Sequence, residues 1–218
     1  MIREVKNNEK SLINEIVKIH LTTFEGFFLT FMGEGFLRQM YSAYTRHSCS
    51  GILIDVDNKQ VNGFLAYSEN LSDLYKYMIK HHLIPFAWYS FAAFLRDPKV
   101  FMRLIRAFLK PKESRRDEKY VELASIGVHP DMKSRGIGSN LINCLKSEVD
   151  FDIFAYITLE TDVCHNEIAN RFYVKNGFQV FREYETHEGR RLYEYRYSGG
   201  QTYEKKEISI YSECCSKS

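Results

Sequence analysis

The chain has almost no net charge: 30 Lys and Arg against 28 Asp and Glu leave +2 over 218 residues. That balance offers no electrostatic footprint for nucleic acid, and no nucleic-acid partner is expected. Cysteine is scarce and unpatterned. Its five copies, at 49, 144, 164, 214 and 215, are odd in number and lack a C-x-x-C pair, which argues against a disulfide framework or structural zinc and for reduced thiols. No apolar run reaches the ~20 residues of a spanning helix; residues 83–95 (LIPFAWYSFAAFL) stop at about 13 and read as a buried or interfacial helix. The opening MIREVK mixes charges and leads into no apolar signal core, so a cytoplasmic location is expected. Proline is rare, four in all, and three of them (Pro85, Pro98, Pro111) fall in one stretch.

What is present points to a folded enzyme-sized domain. Hydrophobic residues at 44% and charged residues at 27% exclude disorder throughout. Residues 2–6 predict a strand. Ser11 is placed to cap a helix to about Thr22, with Leu12, Ile13, Ile16 and Val17 on one face. A second helix is expected over 36–44, then a hairpin of strands 51–55 and 61–67 across Asp57-Asn58. Residues 71–119 interrupt the pattern, first aromatic and then basic, and their prolines predict division into short helices. Strands at 121–128, 154–161, 178–185 and 191–197 then alternate with helices at 137–149 and 166–175. The order is β-α-α-β-β, insertion, β-α-β-α-β-β, a mixed α/β class. One domain is expected over 1–198, with a helical insertion at about 71–119 and a polar tail at 199–218.

The most informative stretch is residues 126–139, IGVHPDMKSRGIGS. A strand ends at Val128, a turn brings two cations and two glycines, and an amphipathic helix begins. Glycines let backbone approach a ligand closely, and free N–H groups at a helix start favour phosphate. A turn whose glycines only relieve crowding is the plainer alternative. There is no GxxxxGK[ST], and Leu141 stands where a dinucleotide fingerprint needs Gly or Ala, so neither of those phosphate motifs applies.

Lys133-x-x-Gly136-x-Gly138 resembles the [QR]-x-x-G-x-[GA] pyrophosphate loop of the GNAT superfamily of acyl-CoA N-acyltransferases, with Lys in the first slot. Downstream, Asn166-x-x-Ala169-x-x-x-Tyr173-x-x-x-Gly177-Phe178 is similar to the family's second signature, with one extra residue between Thr161 and Asn166 that suggests a bulge. The resemblance implies a GNAT-like central mixed sheet of about seven strands flanked by helices. It implies acetyl-CoA as co-substrate, with no metal, and transfer of the acetyl group to a primary amine by direct attack in a ternary complex. It places backbone groups of Ile126, Gly127 and Val128 against the pantetheine arm and Lys133, Ser134, Arg135, Gly136, Ile137, Gly138 and Ser139 around the pyrophosphate. Asn166 is placed on the arm and Tyr173 near the sulfur, as acid to the leaving thiolate. For Tyr173 the plain alternative is a half-buried aromatic beside Phe172. Glu122 is the candidate base, with an exposed edge carboxylate as its alternative; Glu160 is a weaker one.

Cys164-His165 forms a poor nucleophile–base pair, because neighbours on a strand point to opposite faces. His47, His81 and His82 have no partners at metal-ligand spacing.

Between 96 and 119 nine cations face four acids, a local +5. Val100, Phe101, Leu104, Ile105, Phe108 and Leu109 would share one helical face there. A solvated face over packed core is the default. The functional readings are an acceptor pocket for an anionic substrate, which is favoured, a homodimer contact, and an anionic membrane surface with Trp88 and Phe91 dipping in. Residues 23–33 (TFEGFFLTFMG) also resemble bacterial family members associated with surface-polysaccharide clusters, which implies an amino sugar, free or nucleotide-linked, as acceptor. The alternatives are acylation of a protein or peptide amine, and a non-catalytic acyl-CoA-binding or membrane-associated module of the same fold.

Overall fold

A computed structural model describes residues 1–58, 60–99, 101–102, 118–186 and 189–200. The chain divides into two compact units, residues 1–117 with 121–149, and residues 118–120 with 150–218. The first holds β1 (Ile2–Glu4), α1 (Lys10–Thr23), α2 (Phe28–Met32), α3 (Glu34–Tyr44), β2 (Ser50–Asp57), β3 (Gln60–Ser68), α4 (Leu71–Arg96), β4 (Tyr120–Val128, all but its first residue) and α5 (Ile137–Glu148). Its strands pair antiparallel in the order β1-β2-β3-β4.

Strand alternation separates two packed faces. Ile52, Ile54, Phe64 and Ala66 join Ile13, Ile16, Val17, Leu37 and Tyr41 of α1 and α3 in one core. Each of the Ile, Val, Leu and Phe side chains among them contributes roughly 1.5–3 kcal/mol on burial. On the other face α5 packs against β3 and β2. Gly63 makes that contact close: a Cβ there would lie 2.9 Å from Ile137 Cγ2 and 3.1 Å from the Gly127 carbonyl, so the first turn of α5 sits directly on the backbone of β3.

The second unit holds β5 (Tyr156–Asp162), α6 (Glu167–Lys175), β6 (Gln179–Glu185) and β7 (Arg191–Tyr197). Its strands pair antiparallel in the order β5-β7-β6. Glu194, fully buried on β7, is held by Arg182 and Arg196 at 2.8 Å each. The Arg196 guanidinium also lies over the rings of Tyr156 and Phe181, 3.9 and 3.3 Å from their centroids. A buried carboxylate is tolerable only with such partners.

The element order is the expected one, with local corrections. Helix α1 begins at Lys10 with Glu9 as its N-cap, ahead of Ser11; the Glu9 carboxylate is occupied by Arg3 and the Lys6 N–H. The short α2 was not foreseen, since five residues show no period; Thr30 anchors it by donating to the Phe24 carbonyl. Pro85 kinks α4 without ending it. The only non-helical backbone inside the helix is His82 (φ −128°), one turn before the proline, where the ring removes an N–H bond and crowds the preceding carbonyl. Pro98 does act as a stop: α4 ends at Arg96, and Asp97 is extended, as a residue preceding proline should be. Pro111, most of the expected 96–119 helix and the tail from 201 onward lie outside the described residues. Cys164 is disulfide-bonded, which corrects the expectation of reduced thiols at that position; Cys49 and Cys144 are free. Among the described residues, no helix is long and apolar enough to cross a membrane.

Candidate active site

After β4 the chain makes a 3-10 turn, Pro130–Met132, in which His129 Nδ1 accepts the Asp131 N–H at 3.3 Å. Two left-handed residues follow, Ser134 (φ 63°) and Gly136 (φ 78°), and Gly136 is the N-cap of α5. The cap has no side chain to offer. Asn140 is the first residue of the helix whose N–H finds an acceptor, the Gly136 carbonyl at 2.9 Å. Among the described residues, the N–H groups of 134 to 139 have none. No acid lies in the first turn, and Lys133 and Arg135 are exposed at its rim. A Cβ on Gly136 would meet nothing within 4 Å, so the approach to these amides is open. Open amides, the positive end of the helix dipole and two cations are the features that could seat a diphosphate. Acyl-CoA carries that group, so the residues present fit it.

β4 leads into this turn. The His129 N–H bonds to the Asn62 carbonyl at 2.8 Å, and the register runs Gly63↔Val128, Phe64↔Gly127, Leu65↔Ile126 and Ala66↔Ser125. In an antiparallel ladder this alternation turns the N–H and C=O groups of Ile126 and Val128 away from β3. Gly127 faces the core instead, where a Cβ would lie 2.8 Å from the Phe64 ring. The register then jumps to Tyr67↔Leu123, leaving Ala124 as the extra, exposed residue of a bulge, a device common beside active sites.

Glu122 is at 8% exposure, opposite Ser68, and not the exposed edge carboxylate considered as its alternative. Burial, with Tyr75 and Glu122 nearby, raises the pKa of Tyr44 well above the usual tyrosine value. The sequence reading missed a buried polar chain beside it. His20 Nδ1 lies 2.7 Å from the Tyr41 hydroxyl, which donates to Ser125 Oγ at 3.4 Å. Burial lowers the His20 pKa to about 4, so the ring is neutral, and among the described residues its Nε2 has no hydrogen-bond partner. Only the polar His20 amid the apolar positions of α1 hinted at this in the sequence.

In the second unit, β5 pairs with β7 without a register shift as far as Asp162, and His165, just before Asn166, is left-handed (φ 57°) and exposed. Asn166 caps α6 with its backbone, while its side chain donates to Thr161 Oγ1 at 2.5 Å. Asn170, not singled out in the sequence, is 5% exposed. Its amide donates to the Asp162 carbonyl at 3.1 Å and accepts from the Tyr195 hydroxyl at 3.1 Å, so it locks the end of β5 to α6.

Tyr173 packs among Phe172, Phe178 and Tyr195, with ring centroids 5.4, 6.1 and 5.8 Å away. Burial raises its pKa to about 12, and among the described residues its hydroxyl has no hydrogen-bond partner. It is thus both the half-buried aromatic and a protonated donor with nothing to donate to.

Glu160 sits on β5 in register with Glu194. Cys164, being disulfide-bonded, offers no thiolate. His47 is committed to Ser50 and Asp73, at 2.9 and 3.2 Å. The glycine turn and Glu122 belong to the first unit, Asn166 and Tyr173 to the second.

Comparison with known proteins agrees with this chemistry. No curated protein sequence matches the chain. Among solved structures, an N-acetyltransferase from Staphylococcus aureus Mu50 is similar over 90% of this chain and 100% of its own, at 19% identity and a TM-score of 0.57. An aminoglycoside 6'-acetyltransferase type Ii is similar over 93% and 99%, at 14% identity and a TM-score of 0.59. A ribosomal-protein-alanine N-acetyltransferase from Brucella melitensis is similar over 91% and 99%, at 13% identity and a TM-score of 0.56. These likenesses show the fold, mixed α/β with seven strands and flanking helices. The sequence model of the acetyltransferase (GNAT) family matches residues 14–178, most of the chain and both signatures. The chain therefore belongs to the GNAT acetyltransferase family and is an acyl-CoA-dependent N-acetyltransferase.

Proposed function

We propose that this enzyme transfers an acetyl group from acetyl-CoA to the primary amine of a small molecule, an amino sugar being the class favoured by the sequence of residues 23–33. The reading rests above all on the six consecutive amides, 134 to 139, left without acceptors among the described residues and accompanied by the exposed cations Lys133 and Arg135. Lys133, Ser134, Arg135, Gly136, Ile137, Gly138 and Ser139 would hold the diphosphate. Ile126 and Val128 offer the backbone groups turned away from β3 to the pantetheine amides, with Gly127 keeping the strand flat on its core. Asn166 would orient the arm.

Acetyl-CoA supplies a thioester already activated toward amines. Glu122 would take the proton of the attacking amine, since an amine must be neutral to attack. A backbone N–H near Val128 would donate to the carbonyl oxygen as charge develops there. Tyr173 would donate its hydroxyl proton to the departing sulfur; burial keeps it protonated throughout the physiological range.

The test is acetyl-CoA-dependent thiol release by the purified full chain with amino sugars, amino acids, polyamines and peptides. Release that requires an amine and is fastest with amino sugars is expected. Stabilisation by CoA without turnover on any amine overturns the catalytic reading, and turnover confined to peptides overturns the acceptor class.

A further inference from the structure

Helix α4 is apolar on both sides. Beyond its kink, the side that meets the first unit carries His82, Phe86, Tyr89 and Ala93. Phe86 packs on Phe36 with ring centroids 4.8 Å apart, and the Tyr89 ring fills the space that a side chain on Gly35 would need, 2.1 Å from its would-be Cβ. At 100° per residue the opposite side carries Ile84, Trp88, Phe91 and Leu95. These are 83%, 69%, 55% and 64% exposed. A helix packed on one face ordinarily shows polar residues on the other. Here four large apolar side chains follow one another at spacings of four, three and four, a strip roughly 16 Å long at 1.5 Å per residue.

Charge decides what covers this strip. Between Asp73 and Asp97 there is no acidic residue, whereas Lys76 and Lys80 are exposed on the same helix and Lys99 is exposed just beyond it. Two copies of the face laid together would bring cations to cations with no carboxylate between them. An anionic lipid surface meets both needs, taking the apolar strip below its headgroups and neutralising the lysines at their level. The helix is not apolar enough to cross the bilayer, so it would lie along it.

We infer that the outer face of α4 docks the protein on an anionic membrane surface through Ile84, Trp88, Phe91 and Leu95. This goes beyond acetyl transfer and does not depend on it.

Trp88 is the chain's one tryptophan, so its emission reports on this face without a label. The full chain is mixed with vesicles of phosphatidylcholine alone, or with about a third phosphatidylserine, the latter also with brominated acyl chains. Co-sedimentation with the anionic vesicles only, with a blue shift of Trp88 and quenching by bromine, is expected. Phe91→Glu and Ile84→Glu, both at exposed positions, should each lower that partition about tenfold or more while the thermal melt is unchanged. Absence of sedimentation and shift with every vesicle overturns the proposal. So does binding that both variants leave intact, which places the contact elsewhere, or self-association abolished by Phe91→Glu without vesicle binding, which makes the face a contact between copies.

Discussion

Two strand-to-helix turns in this chain are built from the same parts and finished differently. Each follows a strand, uses a left-handed residue, and starts its helix without a side-chain cap: Gly136 before α5, and Asn166, next to left-handed His165, before α6. The turn into α6 is tied down and charge-balanced by the protein's own side chains. Asn170 bonds the end of β5, Arg190 grips Asp162 with two nitrogens, and Glu167 supplies an acid in the first turn. The turn into α5 has no acid in its first helical turn and two exposed cations at its rim. A helix dipole neutralised by an acid of the chain needs no ligand; one flanked by cations and no acid is suited to an anion.

The sharpest way to break this contrast is to answer the open turn from within. Gly136→Glu puts a carboxylate where the ligand's charge belongs, in space that holds no protein atom. CoA affinity should fall about a hundredfold or more by calorimetry, the scale of losing roughly 2.7 kcal/mol. The left-handed backbone adds strain on the order of 1 kcal/mol, so folding should survive. Unaltered affinity would falsify the cradle.

On the proposed reading Tyr173 serves the chemistry and not the binding, so its loss should spare binding and strike turnover. Tyr173→Phe is expected to lower kcat about a hundredfold, the usual worth of a general acid, with CoA affinity nearly unchanged. The sign of the pH dependence follows from the raised pKa. The acid form is lost only as pH rises through about 12, so Tyr173 itself should produce no alkaline limb below pH 10. Unchanged kcat in the variant would assign the proton to water or another group.

Asn170 tests whether closure is structural. Asn170→Ala leaves the Tyr195 hydroxyl and a β5 carbonyl unpaired and should cost about 2 kcal/mol in urea denaturation. A loss within error would mean that the β5–α6 junction is held without it.

How much of this the sequence disclosed depended on how local the cause was. Lys133, Gly136 and Gly138 were legible because glycine and cation are themselves the mechanism of an anion turn. The left-handed backbone of Ser134 was not, since the loop imposes it and serine shows no preference for it. The extra residue before Asn166 suggested a bulge, but β5 pairs with β7 without a shift to Asp162, and the irregularity nearby is a left-handed His165 in the loop. Asn170 was not singled out, although three positions before Tyr173 it shares that residue's helix face. Glu122 looked exposed because strand ends usually are. The apolar run of 83–95 was plain, but only packing tells which of its two apolar sides is covered.

The smallest effect is the finest test of the contrast, because it exchanges the electrostatics of the two turns without touching either backbone. Glu167→Gln removes the acid that complements α6, and its exposed position limits the cost to about 0.5 kcal/mol, less in high salt. Ser139→Glu does the opposite, placing an acid in the first turn of α5 among amides that lack acceptors. It should stabilise the ligand-free protein by about the same 0.5 kcal/mol and yet weaken CoA binding about tenfold, roughly 1.4 kcal/mol. Stability and affinity then move in opposite directions at one residue. A merely packed turn cannot produce that divergence: if Ser139→Glu lowers both together, or neither, the unanswered dipole is not what holds the diphosphate.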